Sequence, residues 1–244
     1  MANQELALHR APVEALIKLS KKDPRRQEIE RLAHSATQAA TVAVVESQRH
    51  TEAPRDLRQE TFDLLANLID PSAEEREAFE RKGAIFLPVE AKSLQQVYDE
   101  NSTYFGYLNE SGTLRSYIPP QAFEVAVFPN KLRIARSNNS SQFKQLRLTE
   151  EFSQKEIEPE FPGAKAIMLP ATGTAQIDIA YQKRNEGKVL IPDFWARCLD
   201  ATSGSRVAYV GRPRPDNRLR VVGWDADRGG ARVWALSAVV FVRK

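Results

Sequence analysis

The chain has 244 residues, and its 42% hydrophobic and 27% charged residues exclude a disordered or membrane-embedded protein. The first residues lack a basic segment leading into an apolar one, and the single cysteine excludes an internal disulfide, so a cytoplasmic location without membrane association is expected. The formal net charge is only +3, but residues 201–244 hold nine basic and three acidic side chains. This excess of positive charge near the C-terminus favours an anionic partner.

Residues 1–83 are expected to form a helical region of four helices, with a domain boundary near Gly83. Asp23 and Pro24 are typical of an N-cap and a first helical position, and they predict a second helix over 24–50. Small side chains recur on one face of this helix, which would let another helix approach closely. The residues of that face are Ile29, Ala33, Ala36, Ala40 and Ala43. They predict either a helical hairpin within the chain or an assembly interface with a protein partner or a second copy.

A third helix is expected to begin at Pro54, with an apolar face that continues to Ile69. Asp70 and Pro71 then mark the start of a fourth, highly charged helix. Ser72 and Glu75 have the spacing of a capping box, and Gly83 can end the helix.

Residues 84–244 are predicted to form an α+β domain, in which a mixed sheet with flanking helices is followed by a C-terminal antiparallel meander. A short helix is expected from Ser93 to Tyr98. Two hairpins are expected from the alternation of apolar residues around turn-forming ones. The extended segments of this half are 84–89, 104–108 paired with 114–118, and 123–127 paired with 132–134.

The second half of the domain combines helices with a β-rich tail. The order strand, helix, strand over 166–191 is typical of a βαβ unit or of a helix across a mixed sheet. The run 233–242 is almost wholly apolar without alternation, which predicts a central strand covered on both faces. The expected elements are helices 142–158 and 174–186 and extended segments 166–169, 189–191, 207–210, 219–224 and 233–242.

The pattern of reactive residues favours a non-catalytic protein without a cofactor. The three histidines, His9, His34 and His50, all precede the α+β domain, so that domain cannot hold a Ser-His-Asp or Cys-His site. No glycine-rich phosphate motif is present. Cys198 lies in an apolar segment, and we expect it to be a buried structural residue.

Two short segments allow a second interpretation. The run 170–174 follows a predicted strand and opens a helix, so it predicts either an anion site on free backbone amides or a turn capped by Thr172 or Thr174. Asp225 and Asp227 have the alternate spacing of a metal loop, which would suit a carboxylate-dependent hydrolase, but a hairpin loop needs the same residue types.

Arginine and aromatic residues in the β-rich tail are the main positive signal. Guanidinium groups neutralise phosphates, and exposed rings on a sheet stack bases, so the combination favours RNA or DNA as the partner. The alternatives are a protein or other acidic partner and a merely solvated strand face. The residues predicted to contact the partner are Arg206, Arg212, Arg214, Arg218, Arg220, Arg228, Arg232 and Trp224.

Overall fold

The computed structural model describes residues 55–242. The chain divides into two units, Met1–Arg55 and Asp56–Lys244, and the elements named below belong to the second unit. The helix predicted over 24–50, with its face of small side chains, lies outside the described residues. Within the described part, no helix is long and apolar enough to cross a membrane.

The second unit has the expected α+β fold, with helices packed on two five-stranded sheets. The α-helices of the described part are α1 (Leu57–Leu65), α2 (Ala73–Arg81), α3 (Leu94–Glu100), α4 (Gly112–Ser116), α5 (Gln142–Phe152) and α6 (Ala171–Arg184). Its strands are β1 (Leu68–Ile69), β2 (Ile85–Val89), β3 (Phe105–Leu108), β4 (Phe123–Val127), β5 (Ala164–Ile167), β6 (Trp195–Ser203), β7 (Arg206–Gly211), β8 (Leu219–Asp225), β9 (Val233–Trp234) and β10 (Ala238–Val242). Short 3₁₀ turns occupy Ser102–Tyr104 and Pro129–Lys131, and a π-helical turn occupies Ser153–Ile157.

The first sheet contains β1, β2, β4, β5 and β10, and all of its pairings are antiparallel. Its central strand is β10, because Val239 pairs with Ala126 of β4 on one side and with Ala166 of β5 on the other. Val239 and Val240 are fully buried. The strand β1, which the sequence placed on the apolar face of a helix, pairs with the far end of β10.

The apolar run 233–242 does not form one strand, as the sequence predicted, but is shared between the two sheets. Its first two residues form β9 in the second sheet, and only its last five form β10. The three residues between them are held by the segment 132–134. The Ile134 amide donates to the Ala235 carbonyl, and the Ser237 amide donates to the Leu132 carbonyl.

The second sheet has the order β3-β8-β7-β6-β9. Its three central strands, β6, β7 and β8, are consecutive and antiparallel and form a meander. The sequence predicted a meander of 207–210, 219–224 and 233–242, and the third of these strands is wrong, because β6 takes that place and 233–242 is divided between the sheets. The edge strands β3 and β9 run parallel to their neighbours and come from distant parts of the chain.

Helix α6 contributes to the cores of both sheets. Its residue Ile177 packs in the cluster that holds the first sheet, whereas Ala175 and Ile179 pack in the cluster that holds the second. A helix buried on several sides lacks a single apolar stripe. The strand-helix-strand order predicted over 166–191 forms no βαβ unit, because residues 189–191 form no strand. The next strand after α6 is β6, and it belongs to a different sheet from β5.

Both predicted hairpins are wrong. The segment 112–116 is helical, with the Ser111 hydroxyl accepting a hydrogen bond from the Leu114 amide, and β3 takes β8 as its partner. The segment 132–134 leaves β4 through the 3₁₀ turn and meets residues 235–237 instead, since the neighbours of β4 are β2 and β10.

Candidate functional site

The second sheet has one face packed on helices and one face that is partly open. Along β8, Leu219 and Val221 are buried in the cluster that includes residues of α3 and α6. The residues that alternate with them lie on the other face, where Trp224 is 52% exposed. Tyr107 of the neighbouring strand β3 is 45% exposed. We call this surface the open face, and it consists of Tyr107, Arg220, Val222 and Trp224.

A bulge between β3 and β8 places Arg220 beside Tyr107. The register shifts between Phe105 and Tyr107, so that Gly106 and Tyr107 both lie opposite Arg220. A Cβ atom at Gly106 would lie 2.9 Å from the guanidinium carbon of Arg220, so a larger residue there would displace the end of this side chain. Arg220 also forms an ion pair with Asp216. The guanidinium of Arg220 therefore lies near Tyr107 and Asp216, at one end of the open face.

The predicted arginines do not form one patch. Arg214 and Arg218 are exposed in the loop between β7 and β8, at the same end of the sheet as Arg220. Arg206 lies at the other end, because it pairs with Asp225. The two ends of β7 are five residue steps apart, which corresponds to about 17 Å.

Two further predicted arginines also lie away from this group. Arg228 follows β8 in the loop at the Arg206 end. Arg232 precedes β9 at the edge opposite β3, and its carbonyl accepts a hydrogen bond from the Trp195 amide. Of the predicted set, the structure therefore brings together Arg214, Arg218 and Arg220, with Trp224 about 13 Å further along β8.

Arg212 is buried and is not part of this surface. Its side chain is 1% exposed and forms an ion pair with the fully buried Asp178. Arg212 donates from Nε and Nη2 to the Asp178 carboxylate, and the Leu190 and Ile191 amides donate to the same group. Burial raises the pKa of the Asp178 carboxyl, and Arg212 and the two amides oppose that rise. The guanidinium of Arg212 thus joins the second sheet to α6.

A second buried arginine, Arg197 of β6, supports the loop beside the open face. Its guanidinium lies 5.0 Å from the ring centre of Tyr209 and donates to the carbonyls of Ala226 and Arg228. Burial lowers the pKa of Arg197. Sequence reasoning missed this role, and the one signal that could have indicated it is a lone arginine within the apolar segment 194–199.

The N-terminus of α6 is occupied by a side chain of the protein itself. The buried Asp200 carboxylate accepts a hydrogen bond from the Ala171 amide, so this donor is not free for an external anion. Burial raises the pKa of Asp200 to about 6, against the opposing effect of that hydrogen bond. Neither threonine caps the helix as expected, because Thr172 and Thr174 donate their hydroxyl protons to backbone carbonyls.

The remaining candidates for chemistry have structural surroundings. Cys198 is fully buried, and burial raises the pKa of its thiol, which keeps it protonated at neutral pH. Asp225 accepts a hydrogen bond from the Asp227 amide and so closes its own turn. Among residues 55–242, no group of three or more His, Cys, Asp or Glu side chains is placed to hold a metal ion.

Comparison of the chain with protein-family models, with curated proteins and with solved structures finds no match in any of the three.

Proposed function

We propose that this chain is a non-catalytic binding protein that holds single-stranded nucleic acid on the open face of its second sheet. The observation that carries the proposal is the exposure of Tyr107 and Trp224 on neighbouring strands of one sheet face. Isolated exposed apolar residues are common on proteins, but these two rings lie on the open part of one sheet face, about 13 Å apart along β8. Each ring can stack one base of a single strand.

The charges around the open face suit a phosphate backbone. Arg214 and Arg218 are exposed at its end, and neither forms an ion pair among the described residues. Arg220 forms an ion pair with Asp216, which offsets part of its charge, and it lies next to Tyr107. A strand that stacks on the two rings would thus have cationic groups within reach of its phosphates.

The first test of the proposal removes one ring. Titration of labelled single-stranded RNA and DNA, at low and at physiological salt, compares the wild type with Trp224→Ala. Loss of one stacked base is expected to weaken binding by about 1–3 kcal/mol with little change in the salt dependence. Ile118→Ala is the matched control, because Ile118 is 50% exposed and lies outside the open face.

The second test removes charge and leaves the rings in place. The double variant Arg214→Ser/Arg218→Ser is expected to reduce the slope of log K against log salt by about 0.7 for each phosphate that the arginines no longer neutralise. Arg81→Ser on α2 is the control for removal of an exposed arginine. Arg212 stays unchanged in every variant, because its removal would disturb the core. Absence of binding at low salt, or equal binding by all variants, would refute the proposal.

A further inference from the structure

A cleft of about 680 Å³ lies beside the β9 edge of the second sheet, which is the edge opposite β3. Its walls come from the segment 129–135, the end of α5 and the connection 189–194 that precedes β6. One wall includes Phe152 and Glu156, which adjoin or belong to the π-helical turn, a conformation that often marks functional sites. The volume falls within the range of small-molecule sites, which is about 300–1,000 Å³.

The cleft contains an arginine that is oriented by aromatic rings rather than by a carboxylate. The guanidinium carbon of Arg133 lies 5.0 Å from the ring centre of Trp234 and 5.6 Å from that of Phe194. Among the described residues, Arg133 has no ion-pair or hydrogen-bond partner for its guanidinium. Contact with ring faces leaves the N–H edge of a guanidinium free, and that edge matches a carboxylate or phosphate with two parallel hydrogen bonds.

The backbone at Arg133 is fixed on both sides. Its neighbours Leu132 and Ile134 are buried, and both form backbone hydrogen bonds to the segment 235–237. Arg133 itself forms an isolated β-bridge with Leu236. The Arg133 side chain is exposed, but its fixed backbone and the two neighbouring rings reduce the entropy that it loses when it binds a ligand.

The rest of the lining combines apolar surface with a second cation. Phe152, Tyr181 and Leu190 provide the apolar surface, and Lys131 adds an exposed positive charge. Two acidic residues, Glu156 and Asp193, also line the cleft, but both are exposed and neither is within ion-pair distance of Arg133.

We propose that this cleft binds a small organic anion, with Arg133 engaging its carboxylate or phosphate group and the apolar wall packing against an aromatic body. The site is separate from the open face, because three strand spacings, on the order of 14 Å, lie between β8 and β9. The proposal therefore stands independently of nucleic-acid binding.

The test uses four probes that differ in their anionic group and in whether they carry an aromatic ring: benzoate, phenyl phosphate, inorganic phosphate and benzyl alcohol. Each is titrated into the full chain, and binding is followed through the indole N–H signal of Trp234 in the NMR spectrum. We expect saturable binding of benzoate, phenyl phosphate or both, and the stronger of the two identifies the preferred anion. Inorganic phosphate and benzyl alcohol are expected to bind at least about tenfold more weakly, because phosphate lacks the aromatic ring and benzyl alcohol lacks the anionic group.

Three variants locate the site. Arg133→Gln is expected to weaken binding by about tenfold or more, since hydrogen bonds to a charged group are lost. Ala135→Phe fills part of the cleft from an exposed position and is expected to block binding. Arg147→Gln, an exposed arginine on α5 outside the lining, is the matched control and is expected to bind as the wild type does.

The possible outcomes separate this site from the open face. Trp224→Ala is expected to leave benzoate and phenyl phosphate binding unchanged, and Arg133→Gln is expected to leave nucleic-acid binding unchanged. The proposal is wrong if neither aromatic anion binds, if both bind equally well to Arg133→Gln, or if inorganic phosphate binds as tightly as phenyl phosphate.

Discussion

Replacing Asp178 by asparagine is expected to destabilise the protein by about 3–5 kcal/mol, because the Arg212 guanidinium is left buried without a counter-charge. The side chains of Asp178 and Arg212 are 0% and 1% exposed, so water cannot solvate the unpaired guanidinium. Asparagine retains an oxygen that can accept from the Leu190 and Ile191 amides, which isolates the electrostatic loss from the loss of those hydrogen bonds.

The companion change, Arg212→Met, removes the cation and keeps an apolar stem of similar length. It leaves the Asp178 carboxylate buried with only its two amide donors, and we expect a loss of about 3–5 kcal/mol again. The double variant contains neither charge. We therefore expect it to be more stable than Asp178→Asn alone. The coupling energy between the two positions must then exceed the loss caused by Arg212→Met, which is about 3–5 kcal/mol.

Urea denaturation of the wild type, both single variants and the double variant measures this cycle. Arg214→Met, two residues along the same loop but exposed, is the control and should change the free energy of unfolding by less than about 0.5 kcal/mol. If the two single losses add without coupling, or if Arg212→Met is as stable as the control, the buried ion pair does not contribute to stability as expected.

Three further predictions concern stability. Asp200→Asn is expected to raise the free energy of unfolding at pH 8 by up to about 3 kcal/mol. Burial raises the pKa of Asp200 from 3.8 to about 6, so the wild-type folded state loses stability as the pH rises through that range, and asparagine removes this loss. The gain over the wild type should shrink in melts at pH 4, and a gain of equal size at both pH values would contradict this. Gly211→Ala should destabilise by about 1–3 kcal/mol, since its Cβ atom would lie 2.3 Å from the Phe194 carbonyl oxygen, whereas Gly112→Ala meets no atom within 4 Å and is the control. Deletion from Val239 onward should prevent cooperative folding, because burial of each large apolar side chain of β10 contributes about 1.5–3 kcal/mol; a sharp melting transition in the truncated chain would be the contrary result.

Local signals in the sequence predict the starts of α2 and α3 but not the start of α6. Ser72 with Glu75 forms the expected capping box at α2, and Ser93 caps α3 as expected. Gly83, which follows α2, has φ +85° and supplies the left-handed residue that ends it. These features depend on residues within one turn of each other, so spacing alone reveals them.

Pairings between distant segments could not be predicted in the same way. The apolar residues of 132–134 alternate as a strand does, but the segments that they meet are a hundred residues further along the chain. Alternation reports which face is buried and carries no information about the partner strand. The sequence therefore predicted nearby hairpins where the fold uses distant contacts.

The residues of the open face and of the loop beside it also could not all be predicted from the sequence. Arg212 and Arg214 stand two residues apart in a basic loop, yet one is buried against Asp178 and the other is exposed. Their difference depends on α6, which the loop sequence does not reveal. Tyr107 was missed because the parallel pairing of β3 with β8 joins positions more than a hundred residues apart.

The central position of β10 also affects the order of events during synthesis. Strands β1 and β5 pair only with β10 among the described strands, so neither has a partner until residues 238–242 have left the ribosome. The apolar residues of both strands stay available to chaperones or to neighbouring nascent chains until then. The meander β6-β7-β8 needs only local contacts, and we expect it to assemble earlier than the first sheet.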